Sequence, residues 1–308
     1  MTQPIQIRMG GYGPPTTGFS KALKLIGDKL QSQFGERVDI KYVWNIMDLG
    51  FKAEDILWLV EHGLLTLGYQ SSSYLTDRVP ELGFVDLPFL FASNAQARAA
   101  MDGALGRHLV RKTEERIGYR ILGWFENGFR HISNRLHPVH LPADLKGMKI
   151  RVLPSEIQKR TFELLGAIAL RMDLTEAIAM IKAGTLDAQE NPLANTVTYG
   201  VHNFHKFHTL TYHFYISRPI FLHRATFEGW PDDLQRAMQS AVSEAVTFQR
   251  RLAVEEHDAA RKAIEDAGCD IVELGADEHS AFVAAVQPLI SDASKMYGES
   301  MFAMLPKV

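Results

Sequence analysis

The sequence predicts an α/β protein of two lobes, joined by strands that cross between them and braced by one long helix. Three observations carry that expectation. Short β-branched or aromatic runs alternate with amphipathic stretches along most of the chain, the pattern of a mostly parallel sheet covered by helices. The 308 residues are enough for two separate cores. No breaker interrupts the helical pattern between Pro231 and Gly268, a run of ~55 Å at 1.5 Å per residue, longer than one small domain.

The first elements are a strand over Gln6–Met9, a turn through Gly10-Gly11-Tyr12-Gly13-Pro14-Pro15, and a helix capped by Thr16 or Thr17 that runs to about Phe34. Val38–Val43 follows as a strand, Ala53–His62 as a helix, Leu64–Tyr69 as a buried strand and Gln70–Ser73 as a polar turn. Beyond the apolar Phe84–Phe91 come helices over Asn94–Asp102 and Leu105–Ile117, then strands over Tyr119–Phe125, Arg130–Ser133 and Met148–Val152. Helices over Ser155–Leu165 and Thr175–Ala183 alternate with strands near Ala169 and over Leu186–Glu190. Thr211–His223 alternates over enough length to pass between lobes. Pro231 with Asp232 and Asp233 starts the long helix, with proline in its first turn and carboxylates where the helix dipole favours them. Cys269–Leu274 is a strand, and Asp277–Met304 closes the chain as one helix kinked at Pro288. The expected lobes are residues 1–124 with 213–250, and residues 125–212 with 251–308.

Charge and cysteine content narrow the function. Thirty-three Lys and Arg against 36 Asp and Glu leave a net charge of −3, too balanced for affinity resting on nucleic-acid phosphates. The lone Cys269 forms no internal disulfide, and no Cys/His spacing of the structural-zinc kind occurs. No apolar run approaches the ~20 residues that cross a bilayer. The start, Met1-Thr2-Gln3-Pro4, lacks an export signal, which leaves a cytoplasmic protein or a mature one whose leader has been replaced.

The densest polar signals are Asn127–Arg135 with Lys146–Arg151, and Gln189-Glu190-Asn191-Pro192. In an α/β sheet ligands meet the carboxyl ends of strands, where Arg151 and Asn191 both fall. A guanidinium fork matches a carboxylate, and an asparagine adds a donor, so the pair makes a carboxylate seat. The alternative is a structural one, with Arg151 bridged to Asp187 or Glu190 and Asn191 a turn residue before Pro192.

The order Asn127-Gly128-Phe129-Arg130, Ser133-Asn134-Arg135, Leu145-Lys146-Gly147-Met148-Lys149-Ile150-Arg151-Val152 and Asp187-Ala188-Gln189-Glu190-Asn191-Pro192 resembles the substrate-binding proteins of TRAP (tripartite ATP-independent periplasmic) transporters, C4-dicarboxylate-binding type. Asp86-Leu87-Pro88-Phe89-Leu90, Gly50, Glu176 and Trp230-Pro231-Asp232-Asp233-Leu234 extend the likeness essentially end to end. The resemblance implies a two-lobed periplasmic-binding-protein-like fold, type II-like, closing on its solute. It implies Arg151 as the bidentate partner of a ligand carboxylate, Asn191 assisting, and Arg130 approaching the same anion. Membrane transporter subunits are the implied partners, and the periplasm, after removal of a leader, the implied location.

Relative to sialic-acid-binding members, Gly10 or Gly11, Phe51, Ser71 and Leu174 stand where polar side chains serve a polyol acid. A smaller or more apolar ligand follows: a uronate, an aromatic acid or a short dicarboxylate. Arg218 aligns with another ligand-reaching position, where it takes a second carboxylate or a hydroxyl, or else pairs with a protein carboxylate. Tyr12, Tyr69, Tyr74 and Phe129 form an aromatic wall or plain core. The expectation is a binding protein without cofactor or catalysis. Its rivals are a lyase or isomerase with Glu190 as general base beside Arg151, and a ligand-sensing module.

Other signals are weaker. His202, His205 and His208, with His213 beyond, diverge around a helix and lack a carboxylate at metal-ligand spacing. The Gly10-Gly11-Tyr12-Gly13 loop suggests a dinucleotide turn but runs into two prolines. No Gly-x-Ser-x-Gly elbow or P-loop occurs, and Cys269 has no activating base nearby in sequence.

Overall fold

Strand β1, Ile5–Gly10, buries Ile7 and Met9 and turns Gln6 and Arg8 outward, the two-residue period of a strand with one face on a core. The computed structural model describes residues 3–306. Met1 and Thr2, heading the expected first lobe, and Lys307 and Val308, ending the second, lie outside the described residues. Helix Gly18–Phe34 starts where Thr17 accepts the Ser20 N–H, and it buries Phe19, Leu23, Ile26 and Leu30 along one stripe. Strand β2, Val38–Val43, lies parallel to β1 with Ile7 opposite Ile40. Helix Asp55–Glu61 leads to β3, Leu67–Tyr69, three residues shorter than expected because the chain joins the ladder only where Met9 pairs with Leu67.

Helices Asn94–Asp102 and Ala104–Arg116 precede β4, Tyr119–Asn134. The sequence divides β4 into two strands, but it is continuous: Gly128 takes φ of 87°, a conformation glycine adopts readily, inside the strand. Strand β5 is Lys149–Val152, β6 Ile168–Arg171 and β7 Ala188–Asn191. Helix Glu156–Leu164 joins β5 to β6 and helix Leu174–Lys182 joins β6 to β7, with Ser155 and Asp173 as their N-caps. Helix Leu193–Thr198 leads towards β8, Phe207–His223. The long helix is Asp232–Asp266, 35 residues, and β9 is Asp270–Glu273. The expected single closing helix is three: Ala276–Ala285, Gln287–Tyr297 and Glu299–Phe302. Pro288 sits in the first turn of the second, where its missing N–H costs nothing, and Gly298 at φ of 77° separates the second from the third.

The chain divides into two compact units, Met1–Ser71 with Val110–Glu126 and Ser217–Val254, and Ser72–Leu109 with Asn127–Ile216 and Glu255–Val308. Strands β4 and β8 and the long helix each belong partly to both. In the first unit β1 runs parallel to β2 and β3, and β3 antiparallel to the end of β8. In the second, β7 is antiparallel to β4 and parallel to β5, which carries β6 on its other edge, while β9 runs parallel to the start of β8. The sheet is therefore mixed rather than mostly parallel, because β4 opposes β7 and β8 opposes β3. Residues 72–109, expected with the first lobe, belong to the second unit. Ser73 Oγ donates to Asp86, Gln158 Nε2 donates to Ser73 Oγ, and Phe84 packs its ring against Tyr297 and Phe302. The second unit's core gathers Ile150, Val152, Phe162, Ala188, Phe214, Ile216 and Phe282.

Candidate functional site

Register sets the second unit's polar geometry. Arg151 lies opposite Gln189 in the parallel β5–β7 pair, so Arg151, Gln189 and Asn191 share one sheet face. Neighbouring strands ~4.8 Å apart and a two-residue step of ~7 Å put the Arg151 and Asn191 backbones about 8 Å from each other. In the β4–β7 pair Ile132 lies opposite Glu190, so Arg130 and Glu190 extend from the other face.

Arg151 is 1% exposed. Its Nε donates to Met172 O at 3.1 Å and its Nη2 to the Tyr74 hydroxyl at 2.9 Å. The carboxylates that a structural role would use are taken. Asp187 accepts from Arg135 Nη2 at 2.7 Å and from the Lys149 N–H at 3.1 Å. Glu190 accepts from Arg130 Nε and Nη2, the latter at 2.7 Å, while the same Nη2 donates to Glu190 O at 2.7 Å. Among the described residues Arg151 has no carboxylate partner, a costly state for a buried charge unless an anion joins it. The Tyr74 hydroxyl accepts from Arg151 and from the Leu174 N–H at 3.1 Å, and donates to Asp173 at 3.4 Å. That hydroxyl is fully used in holding the guanidinium, which makes Tyr74 and the start of the Leu174 helix positioning elements for Arg151.

Asn191 meets Asn195, four residues on, whose Nδ2 donates to Asn191 Oδ1 at 3.1 Å and to Asn127 Oδ1 at 3.0 Å. Gln189 Nε2 donates to Thr196 Oγ1 at 3.3 Å. Arg130, also 1% exposed, commits three N–H donors to Glu190, leaving only Nη1 for anything else. Burial pushes the Glu190 carboxyl up, but the Arg130 charge and hydrogen bonds, with His213 Nε2 3.5 Å away, outweigh it and hold the group below the usual carboxylate range. A carboxylate so clamped is a poor general base.

The first unit holds the other expected residues. Arg218, 3% exposed, packs its guanidinium over the rings of Phe19 at 4.1 Å, Tyr12 at 5.1 Å and Tyr69 at 5.8 Å. Its Nε is buried without a hydrogen-bond partner, and among the described residues no carboxylate pairs with it, contrary to the structural alternative. Ser71 is buried, its N–H donating to Gln70 Oε1 at 2.9 Å, whereas Phe51 is 38% exposed beyond the Gly50 turn and outside the ring cluster. A Cβ at Gly11 would lie 2.8 Å from the Tyr69 hydroxyl and 2.9 Å from Trp44 O, so that glycine serves the protein's own packing. Phe129, in the second unit, meets Tyr212 and Tyr215 edge to face.

Sequence reasoning passed over Phe19, Asn195 and the Met172 carbonyl, and took Gln189 only as part of its polar block; the Asn191/Asn195 four-residue spacing was visible beforehand. The histidines do not share a helix. His202 is in a 3₁₀ turn, His205 follows it with Nδ1 2.9 Å from Ser133 Oγ, and His208 is in β8. Among the described residues no group of three His, Cys, Asp or Glu is placed to hold a metal ion, and no helix is long and apolar enough to cross a membrane. Burial pushes the Cys269 thiol up, the reverse of an activated nucleophile.

An α/β chain passing repeatedly between two units, with a buried arginine that lacks a counter-ion, has the build of a solute-binding protein. The chain belongs to the bacterial extracellular solute-binding protein family 7, the TRAP-transporter type, whose family model matches residues 10–296. A solute-binding protein of Verminephrobacter eiseniae is 30% identical over 282 residues, 91% of this chain and 82% of the relative. The 2,3-diketo-L-gulonate-binding periplasmic protein of Escherichia coli is 29% identical over 266 residues, 86% of this chain and 80% of its own. The TRAP periplasmic solute-binding protein of Chromohalobacter salexigens with bound D-glucuronate superposes with a TM-score of 0.89 at 26% identity, covering 97% of each chain. The sugar-acid-binding protein of Advenella mimigardefordensis with galactonate shares the fold, with a TM-score of 0.93 at 24% identity over 99% of this chain and 98% of that one.

Proposed function

We propose that this protein captures a small organic carboxylate by pairing it with Arg151, without converting it, and delivers it to the membrane subunits of a TRAP transporter. The observation that carries the reading is Arg151 itself: buried, oriented by Met172 O and Tyr74, and short of a counter-charge. A solute carboxylate supplies that charge through two parallel N–H···O bonds, while Asn191 on the same face adds a donor. Relatives that bind 2,3-diketo-L-gulonate and D-glucuronate favour a sugar acid over the aromatic acid also expected from the sequence. Arg130 serves the site indirectly, by neutralising Glu190, and Arg218 is proposed as a contact for a further polar group of the solute. Family membership supports a periplasmic location, which this reading takes to follow removal of a leader.

The test is a thermal-shift screen of the purified chain against uronates, aldonates, keto acids and C4 dicarboxylates, followed by calorimetry on the hits. A bound acid stabilises by mass action. Recovery of the acid unaltered after stoichiometric incubation supports capture; turnover supports the lyase or isomerase alternative.

A further inference from the structure

Resting on the reading of Arg151 as carboxylate anchor, we propose that Asn127 is a further ligand-binding residue, positioned by Asn195, and that the solute carries an oxygen on the carbon next to its carboxylate. The sugar acids, 2-hydroxy acids and 2-keto acids meet that description; plain fatty acids and succinate do not.

The argument starts from amide valences. Asn195 Nδ2 has two hydrogens, and both are used, on Asn191 Oδ1 and Asn127 Oδ1. The two flanking asparagines therefore turn their carbonyls towards Asn195 and present their amino groups away from it. Asn127 is 8% exposed, and its Nδ2 is buried with no hydrogen-bond partner in the protein. A buried amide donor in a native fold is nearly always satisfied. A second orphan is on the neighbouring strand β7: Gln189 is fully buried, its Nε2 donates to Thr196, and its Oε1 has no partner. Gln189 is also the register partner of Arg151. The orphan acceptor thus lies on the sheet face of the unpaired guanidinium, and the orphan donor, on β4, is tied to that segment through Asn195. A hydroxyl group satisfies both kinds of orphan, a keto or ring oxygen satisfies the donor, and a methylene satisfies neither.

Asn195 is the positioning residue of this arrangement. Its helix, Leu193–Thr198, begins directly after Pro192, so the strand end and the relay are fixed by one turn of chain. Gly128, with φ of 87°, lets β4 bend beside Asn127 without breaking off.

The experiment is calorimetry on the full chain with matched acids: D-galactonate against 2-deoxy-D-galactonate, and L-malate against succinate. In the pair bound most tightly, the oxygenated acid is expected to bind at least ~10-fold better, as a buried polar group left unpaired would require. Asn127→Ala and Asn127→Asp are each expected to bring that preference to within about twofold, since both remove the donor; the aspartate charge weakens both members of a pair alike, so the ratio is what is read. Asp at this position keeps the oxygen that meets Asn195, so a fold defect in the alanine variant does not decide the outcome. Asn195→Ala should reduce the same preference. Equal binding of both members by the wild type overturns the proposal, as does an equal loss for both members in the variants, or a fall in melting temperature in both that accounts for the loss. Arg151→Met is the separate control: it weakens both members of a pair, and if it weakens neither, the anchor fails while the Asn127 preference stays readable. Binding of none of the acids overturns both.

Discussion

Replacing Arg151 with methionine keeps the volume of its stem and removes the charge. Hydrogen bonds to a charged partner contribute about 1.5 to 3 kcal/mol each, and truncating one side of a buried charge pair costs about 2 to 5 kcal/mol. At roughly 1.4 kcal/mol per tenfold, affinity for the solute should fall between ~30-fold and several thousand-fold. The free protein should behave differently. The substitution leaves the Met172 carbonyl and one acceptor site of the Tyr74 hydroxyl without their donor, a cost of about 1 kcal/mol each. It also removes a guanidinium that is 1% exposed and has no carboxylate partner among the described residues, relieving a burial penalty of several kcal/mol. The ligand-free melting temperature should therefore stay within about 4 °C of the wild type, or rise. Calorimetry and thermal melting of the same preparation read both quantities. Unchanged affinity refutes the assignment, and a collapse of the ligand-free melting temperature makes Arg151 a structural residue.

Glu190→Gln strips the buried Arg130 of its counter-charge, and urea denaturation should show a loss of about 3 to 5 kcal/mol; a loss under about 1 kcal/mol contradicts the pairing's importance. Burial pushes the Asp86 carboxyl from the usual 3.8 up to about 6, against hydrogen bonds from Ser155, Ser73 and Gln158 and the Arg130 charge. Its folded value lies above the unfolded one, so its contribution is fully present below 3.8 and is lost as pH rises through about 6. Asp86→Asn should therefore stabilise the protein at pH ~7 by up to ~3 kcal/mol and give no gain at pH ~4, and an equal gain at both rejects the cause. Arg218→Met keeps an apolar stem against Phe19 and Tyr12 but removes the charge. Affinity for the solute should fall by about tenfold or more, and calorimetry showing no change would return Arg218 to a packing role.

Much of the fold was legible because local chemistry and tertiary demand agree. Thr17 before a stripe of apolar residues fixes the first helix, and Pro231-Asp232-Asp233 fixes the start of the long one. The failures share a cause: breaker residues were read locally where the structure absorbs them. Asn127-Gly128 has turn composition, yet Gly128 sits inside a sixteen-residue strand. Pro288 suggested a kink in one helix but begins a new one, since a first turn has no N–H to lose. The membership of residues 72–109 was not legible at all, because it depends on Ser73, Asp86 and Phe84 meeting partners from more than ten to more than two hundred residues away. At the site, the residue types were legible and their pairing was not. Arg130, Arg135 and Arg151 all had Asp187 and Glu190 within reach of a linear reading, and only strand register decides which arginine is left over.

That decision follows from the pleat. In Gln189-Glu190-Asn191 the middle side chain leaves one sheet face while its neighbours leave the other. Glu190 therefore meets Arg130 and forms a closed, neutral pair in the core, and Gln189 and Asn191 share a face with Arg151. A one-residue slip of β7 would reverse this, giving Arg151 a permanent carboxylate partner and leaving Arg130 unpaired. Stability alone would favour that outcome no less, since either arrangement makes one buried ion pair. What the observed register provides is an uncompensated guanidinium next to amide groups that still have donors and acceptors to offer. On the proposed reading a solute completes its charge, and the energy withheld from folding is returned on binding. The protein should then be stabilised by its acid in proportion to occupancy, by about 2.7 kcal/mol at a hundred times the dissociation constant, and a variant lacking Arg151 should lose that gain while keeping its fold.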